Sequence, residues 1–289
     1  MSSPLIAPLL ERTRFPAPGT AVTCAVSGGA DSFALLVLAR AADLDVTVVH
    51  VDHGLRPESG AEADVVASAA ARFGATFRAE RVTVEPGPNL EARARAARYS
   101  VLPTDVLTGH TADDQAETML LNLLRGAGLD GLAGMRPERH PLLQVRRAET
   151  AALCADVGQT PVQDPSNADP VHLRNRVRHE LVPLLADLAG RDVVPVLARQ
   201  ADLLRDEAAY LDGLAAAVDA TDARALAASP IALARRALRG WLRTGTAHPP
   251  DAAAVERVLA VVRNEARACE LNDGRRVTRS RGRLGVDPA

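Results

Sequence analysis

The chain contains no lysine. All 34 of its basic residues are arginine, against 36 acidic residues in a length of 289. It therefore has no side-chain ammonium for a Walker-type phosphate contact and no amine for Schiff-base chemistry. Aromatic residues make up only 2%, while hydrophobic residues reach 47%. Alanine, valine and leucine must carry the packing, and a stacking platform for single-stranded bases is excluded as the main binding device. Cysteine is scarce: Cys24, Cys154 and Cys269 stand far apart, which excludes a disulfide framework and a CxxC metal or redox site and fits a reducing compartment. The net charge is −2, so the chain is not basic overall. The apolar helix candidate Ser32–Ala42 is too short to cross a bilayer. The N-terminus has neither the basic start nor the long apolar core of a signal peptide. A cytoplasmic protein without membrane contact is expected.

The first half alternates between two periods. Apolar stretches Ala21–Val26, Val46–Asp52, Thr76–Val84 and Thr104–His110 read as strands. Between and after them, Ser32–Ala42, Ala61–Phe73, Leu90–Tyr99 and Ala112–Arg125 read as amphipathic helices. Such βα alternation implies a parallel sheet, and near-continuous apolar strands suit burial on both faces. Beyond residue 185 the pattern turns helical, with Arg191–Ala217, Pro230–Arg243 and Asp251–Arg263, and it closes on a small Arg-rich hairpin around an Asp-Gly turn. The expected domains are 1–188 and 189–289, with the boundary near Leu185–Asp192. The expected fold is α/β, a parallel doubly wound sheet followed by a smaller, mainly helical domain. With strand order 3-2-1-4, the ligand crevice lies between the first and fourth strands and brings His110 near Gly28 and Gly29.

Three stretches carry chemistry. In Ser27–Ser32, "SGGADS", two glycines let backbone approach a ligand, and the helix start at Ser32 presents unpaired amides. The turn can hold phosphate without lysine, or Asp31 and Ser32 can simply cap the helix. A carboxylate beside a phosphate nest repels phosphate unless a cation bridges them, which suggests Mg²⁺ at Asp31. In "GHTADDQAE", Asp113, Asp114 and Glu117 are spaced to share a helical face. Thr111 with Asp114 makes a capping box, yet three carboxylates exceed what capping needs and could hold a cation. In "RNRVRHELVPLL", Arg174 and Arg178 are four apart on a helix. They form either a solvated face or a phosphodiester site. Arg146, Arg147, Arg235, Arg236, Arg239, Arg243, Arg275, Arg276, Arg279, Arg281 and Arg283 could extend a discontinuous track for a folded RNA.

Taken in order, "AVSGGADS", "VDHGLRPES", "NLEARARAARY", "GHTADDQAETMLLNLLRGAGLDGLAGM" and "DPSN…RNRVRHELVPLL" closely resemble the bacterial tRNA(Ile)-lysidine synthetases, a family with a pyrophosphatase-type ATP loop on a Rossmann-like sheet. The resemblance covers roughly Val22 to Leu185. It implies ligation of L-lysine to C2 of the wobble cytidine in a CAU-anticodon tRNA(Ile), with ATP cleaved to AMP and pyrophosphate through an adenylated cytidine. It implies ATP contacts at Ser27, Gly28, Gly29, Ala30, Asp31, Ser32, His53 and His110, and lysine contacts at Asp113, Asp114 and Glu117. It implies tRNA contacts at Asn167, Arg174, Asn175 and Arg178, with Asp31, Asp114, Glu117 and Arg178 catalytic. The chain departs from the family at His140, where an arginine is expected and for which Arg139 or Arg147 could substitute. It also ends before the further C-terminal domain of longer relatives. The oligomeric state stays open, a homodimer included. A tRNA 2-thiolating enzyme with the same loop would need paired cysteines or an iron–sulfur cluster. A non-catalytic nucleotide-binding module would not need the acidic and arginine motifs.

Overall fold

The computed structural model describes residues 3–52, 59–83, 87, 90–162, 173–244 and 250–287. After a short helix α1 (Ile6–Leu10), the described elements follow as β1 (Ala21–Ala25), α2 (Ala30–Ala41), β2 (Asp45–Asp52), α3 (Ser59–Arg72), β3 (Thr76–Arg81), α4 (Leu90–Val101), β4 (Leu107–Thr108) and α5 (Ala112–Leu124). The four strands form one parallel sheet in the order β3-β2-β1-β4. Successive residues of β2 serve opposite faces, as a period of two demands. Val46 and Val48 join the main core with α2 and α3, whereas Val49 and Val51 pack with Tyr99, Leu102 and Val106. Helices therefore cover both faces, and the sheet is doubly wound. Helix α2 is buried all round from Phe33 to Ala39, the signature of a helix enclosed on every side.

The fourth strand is much shorter than the expected Thr104–His110. Val106 N–H donates to the Pro103 carbonyl at 3.2 Å, which closes a turn where strand was expected, and Thr108 N–H donates to Arg139 O at 3.0 Å. Loop backbone thus takes over from a ladder at this sheet edge.

Helices α6 (Leu129–Leu132) and α7 (Arg147–Asp156) follow. From Leu173 a helical stretch runs as α8 (Leu173–Arg176), a π turn (Val177–Leu181) and α9 (Val182–Ala189), ending at Gly190 with φ 62°. Pro183 explains the wide turn, because its ring would clash with the carbonyl four residues back in an α-helix. Helix α10 spans Val194–Ala216. The chain divides into two compact units, Met1–Asp202 and Leu203–Ala289. This division lies a little beyond the stretch 185–192 where composition places a boundary. The reason is that Val194 and Ala198 pack on Ala112 and Ala116.

The second unit holds α11 (Ala223–Ala228), α12 (Ile231–Arg243), α13 (Ala252–Val262) and the strands β5 (Ala268–Glu270), β6 (Arg276–Ser280) and β7 (Arg283–Asp287). Its core is built on Leu238, Leu242, Val258, Leu259 and Val277. The expected single hairpin is a three-stranded antiparallel meander. The Asp-Gly signal marks the first turn. The second is Arg281-Gly282, with φ 50° and 79°, the two positive values that suit a tight hairpin to the strand twist.

Candidate functional site

The phosphate turn sits where β1 ends and α2 begins. Gly29 is the N-cap of α2 and Asp31 lies in its first turn. Gly28 has φ 95°, a conformation costly for residues with a Cβ, and its carbonyl accepts from Val162 N–H at 2.9 Å. Ser32 turns its hydroxyl back onto Gly29 O at 2.8 Å, and Ser27 Oγ lies 3.5 Å from Ser32 Oγ. Gly109, just past β4, is a residue that sequence reasoning passed over. A Cβ there would fall on the Asp31 carbonyl group, 2.6 Å from its carbon and 2.9 Å from Ser32 N. Only glycine lets the end of β4 press against the turn, which is the expected crevice between first and fourth strands. A glycine directly after a strand at the switch point is the signal that could have found it.

His110 follows immediately. Its Nδ1 lies 2.7 Å from Thr108 Oγ1, and His140 Nδ1 lies 2.5 Å from the same oxygen. One hydroxyl has one proton, so Thr108 can donate to only one of the two rings. The rings meet edge to face at 4.7 Å. Burial above all pushes His110 down to about 4 and His140 down to about 3. Both imidazoles are neutral at pH 7.

The acidic start of α5 and the basic start of α7 interlock. Thr111 donates to Asp114 Oδ2 through its amide and its hydroxyl, each at 2.9 Å, and the amide bond is the carboxylate half of the expected capping box. The other oxygen of Asp114 accepts from Arg147 Nη2 at 2.6 Å. Glu117, 2% exposed, takes both arms of Arg178 at 2.7 and 3.1 Å and Arg147 Nη1 at 3.2 Å. Arg147 Nε reaches Asp31 Oδ2 at 3.3 Å, and Thr150 Oγ1 donates to Asp31 Oδ1. One guanidinium thus touches three carboxylates, drawn from the phosphate turn and from α5.

Burial raises the Asp31 pKa, and the neighbouring Asp114 charge adds to it, more than Thr150 and Arg147 lower it. Burial also opposes the Asp114 charge, but Arg147, His110 and the Thr111 donors outweigh it and hold the group below its ordinary value. Arg147 is likewise opposed by burial, and the charges of Asp114, Glu117 and Asp31 hold it above the ordinary arginine value.

Asp113 is the exception among the expected acids. Its carboxylate is clamped by Arg146 through two 3.0 Å bonds and by the Arg147 amide at 2.8 Å. It braces the start of α7 and does not join Asp31, Asp114 and Glu117 on Arg147's guanidinium. Arg146 and Arg147, placed by sequence on an RNA track, are engaged with carboxylates in this site, and Arg146 also pairs with Asp192. Sequence carries no signal for this, because an Arg pair opening a helix looks like a solvated face. Arg174 Nη2 donates to Thr118 Oγ1 at 3.0 Å, and Arg174 Nε lies 4.0 Å from Glu117. Asn175 is buried on α8. His53 and Asn167 lie outside the described residues. In the second unit, Arg235, Arg236, Arg275 and Arg283 pair with Glu256, Asp212, Asp273 and Asp219, whereas Arg276 and Arg281 are exposed.

Cys24 and Cys154 are buried and Cys269 is half-buried, and burial pushes the first two thiols up to about 12 and 11. Among the described residues no group of three His, Cys, Asp or Glu side chains is arranged to hold a metal ion. No described helix is long and apolar enough to cross a membrane.

Residues 6–185 match the family model of the PP-loop domain, and residues 222–284 match that of the TilS substrate binding domain. A tRNA(Ile)-lysidine synthase from Nocardia farcinica is 45% identical over 264 residues, covering 86% of this chain and 83% of that protein. The synthase of Rhodococcus erythropolis is 45% identical, covering 80% and 76%, and that of Mycobacterium tuberculosis 42%, covering 77% and 75%. Among solved structures, a U34-tRNA thiolase from Methanococcus maripaludis superposes with a TM-score of 0.55 at 16% identity, covering 68% of this chain and 78% of that one. That likeness shows the shared fold. A PP-loop sheet, a matched substrate-binding module and relatives at this identity over most of the length place the chain in the tRNA(Ile)-lysidine synthase family.

Proposed function

We propose that this enzyme works in two half-reactions across the cluster joined by Arg147. In the first, the C2 oxygen of the wobble cytidine of tRNA(Ile) attacks the α-phosphate of ATP. Pyrophosphate leaves into the turn formed by Ser27, Gly28, Gly29, Ala30, Asp31 and Ser32, with His53 and His110 beside the nucleotide. In the second, the ε-amine of free L-lysine attacks C2, the C–N bond forms, and AMP departs with the oxygen. Asp114 and Glu117 accept hydrogen bonds from the amine and take its proton. Asp113 sets the Arg146–Arg147 backbone against them, and Arg178 steadies Glu117. A Mg²⁺ ion, held by Asp31 and the phosphates, would supply charge neutralisation for the departing pyrophosphate; a single hard carboxylate beside a phosphate turn suits that ion.

Residues 1–188 are the catalytic part in this reading. Residues 189–289 contact tRNA, together with Asn167, Arg174, Asn175 and Arg178 near the anticodon. The single observation that carries it is the contact of one guanidinium with Asp31 on the phosphate turn and with Asp114 and Glu117 on α5.

The test uses ATP labelled at the α-phosphate and a CAU-anticodon tRNA transcript. Label should stay on the tRNA without lysine and be released as AMP when lysine is added. Label that never reaches the tRNA, or a lysine-independent discharge, would overturn the scheme.

A further inference from the structure

The carboxylates offered to the lysine amine are not waiting empty. Arg147 holds Asp114 Oδ1 at 2.6 Å and Glu117 Oε1 at 3.2 Å, while its Nε holds Asp31 Oδ2 at 3.3 Å. An ammonium entering here must displace guanidinium hydrogen bonds, each charge-assisted and partly shielded from water. The same guanidinium lies within one carboxylate of the phosphate turn. A triphosphate settling on the start of α2 brings a dense negative charge to that side. We infer that Arg147 is a positioning residue that works as an exchangeable cation: nucleotide phosphates draw its guanidinium off Asp114 and Glu117, and the lysine ammonium takes over the contacts it releases, beside Arg178.

The geometry favours exchange over a fixed strut. Arg147 makes its three contacts through three different nitrogens, so contacts on the α5 side can be released while the Asp31 side is kept or transferred to phosphate. Glu117 would not be left bare, since Arg178 keeps both of its bonds. Asp114 keeps both donors of Thr111. The backbone of Arg147 is anchored separately, its amide on Asp113 Oδ2 at 2.8 Å, so the side chain can move while the start of α7 stays fixed. The exchange conserves charge, one cation for another. It also sets an order, nucleotide before amine.

This inference rests on the proposed placement of lysine at Asp114 and Glu117. The experiment is calorimetric titration of L-lysine into the full chain, with and without α,β-methylene-ATP and magnesium chloride. In the wild type, nucleotide should tighten lysine binding roughly 5- to 150-fold, the range of an ordinary coupling between sites. In Arg147→Met the exchangeable guanidinium is gone, and Arg178 keeps its contacts with Glu117 and Asp114. Lysine should bind the nucleotide-free protein at least as tightly as it binds the nucleotide-free wild type, and nucleotide should no longer tighten it. A strut role predicts the opposite sign, weaker lysine binding in Arg147→Met with coupling retained, and that result overturns the inference. Should Arg147→Met fail to fold, the wild-type titrations still decide, because lysine affinity indifferent to nucleotide excludes the exchange. Failure of the underlying placement is separately visible: lysine affinity unchanged in Glu117→Gln would remove the amine from this cluster altogether.

Discussion

Glu117 receives both arms of Arg178 in a position almost sealed from water, where an uncompensated charge is costly. Replacing it by glutamine keeps its size and most of its helix propensity. If it only braced α5 and paired Arg178, the change would cost stability but would not separate the two half-reactions. On the proposed chemistry, Glu117→Gln still passes label from ATP to tRNA but loses lysine transfer. The loss of one charge-assisted bond, roughly 1.5–3 kcal/mol, corresponds to about 10- to 150-fold in lysine binding. Labelled tRNA that accumulates and does not discharge is the expected result, and a block in adenylation would assign Glu117 to the nucleotide half. Gly109 makes a steric case at the same scale. In Gly109→Ala the new methyl meets backbone at Asp31 and Ser32, so the end of β4 and the phosphate turn must part. We expect a stability loss of roughly 1–3 kcal/mol, as for other overpacked sites, together with weakened ATP binding. Urea unfolding and nucleotide titration check the two effects, and unimpaired ATP binding would show that the close approach is incidental.

The junction between β4 and α5 carries a pH dependence of its own. His110 and His140 are held well below the ordinary imidazole value of about 6.5, chiefly by burial. The unfolded chain therefore binds protons that the folded chain refuses as pH falls below about 6.5. Stability from this pair is full above that pH and drains away toward about 4 and about 3, where the folded rings finally take up protons. His140→Gln should lose less stability than the wild type between pH 7.5 and pH 4.5, measured by urea unfolding at each pH. Equal losses would show that His140 is protonated without penalty.

Elements like this also show what could be read in advance. The strand order and the double winding were legible because apolar strands alternate with helices at clear periods. The capping box at Thr111 and Asp114 was legible because it is local. Helix α7 and the π turn were not. The first opens on two arginines whose partners lie on α5 and at Asp31, and the second depends on how Pro183 is accommodated within an otherwise continuous helix. The three-stranded meander was half legible: Asp273-Gly274 announces its turn, while Arg281 sits at a positive φ that its residue type does not advertise.

Across the whole molecule, arginine is the only basic residue type, and much of it is spent internally. In the second unit, Arg275 and Arg283 are tied to Asp273 and Asp219, while Arg276 and Arg281 are exposed. If this unit contacts tRNA, those two should carry phosphate contacts. Arg276→Gln and Arg281→Asn should each lower the log–log salt slope of tRNA binding by about 0.7–0.9; asparagine at 281 tolerates the positive φ. Filter binding at several salt concentrations reads this directly, and unchanged slopes would move the RNA path elsewhere on the chain.

The guanidinium at the centre of the site also bears on what the enzyme does not do to itself. A chain built to join an amine to an activated base has, in its own sequence, no side-chain amine to offer. Arg147 supplies a positive charge among Asp31, Asp114 and Glu117 from a group that stays protonated and so is a poor nucleophile. A lysine there would lie among the carboxylates proposed to receive the substrate amine. On the proposed chemistry its ε-nitrogen could attack C2, expel AMP and leave the protein covalently bound to its tRNA. Arg147→Lys is therefore expected to form an adduct that survives denaturing electrophoresis when ATP and tRNA are supplied without free lysine. On that chemistry, the native residue keeps the catalyst from becoming a product.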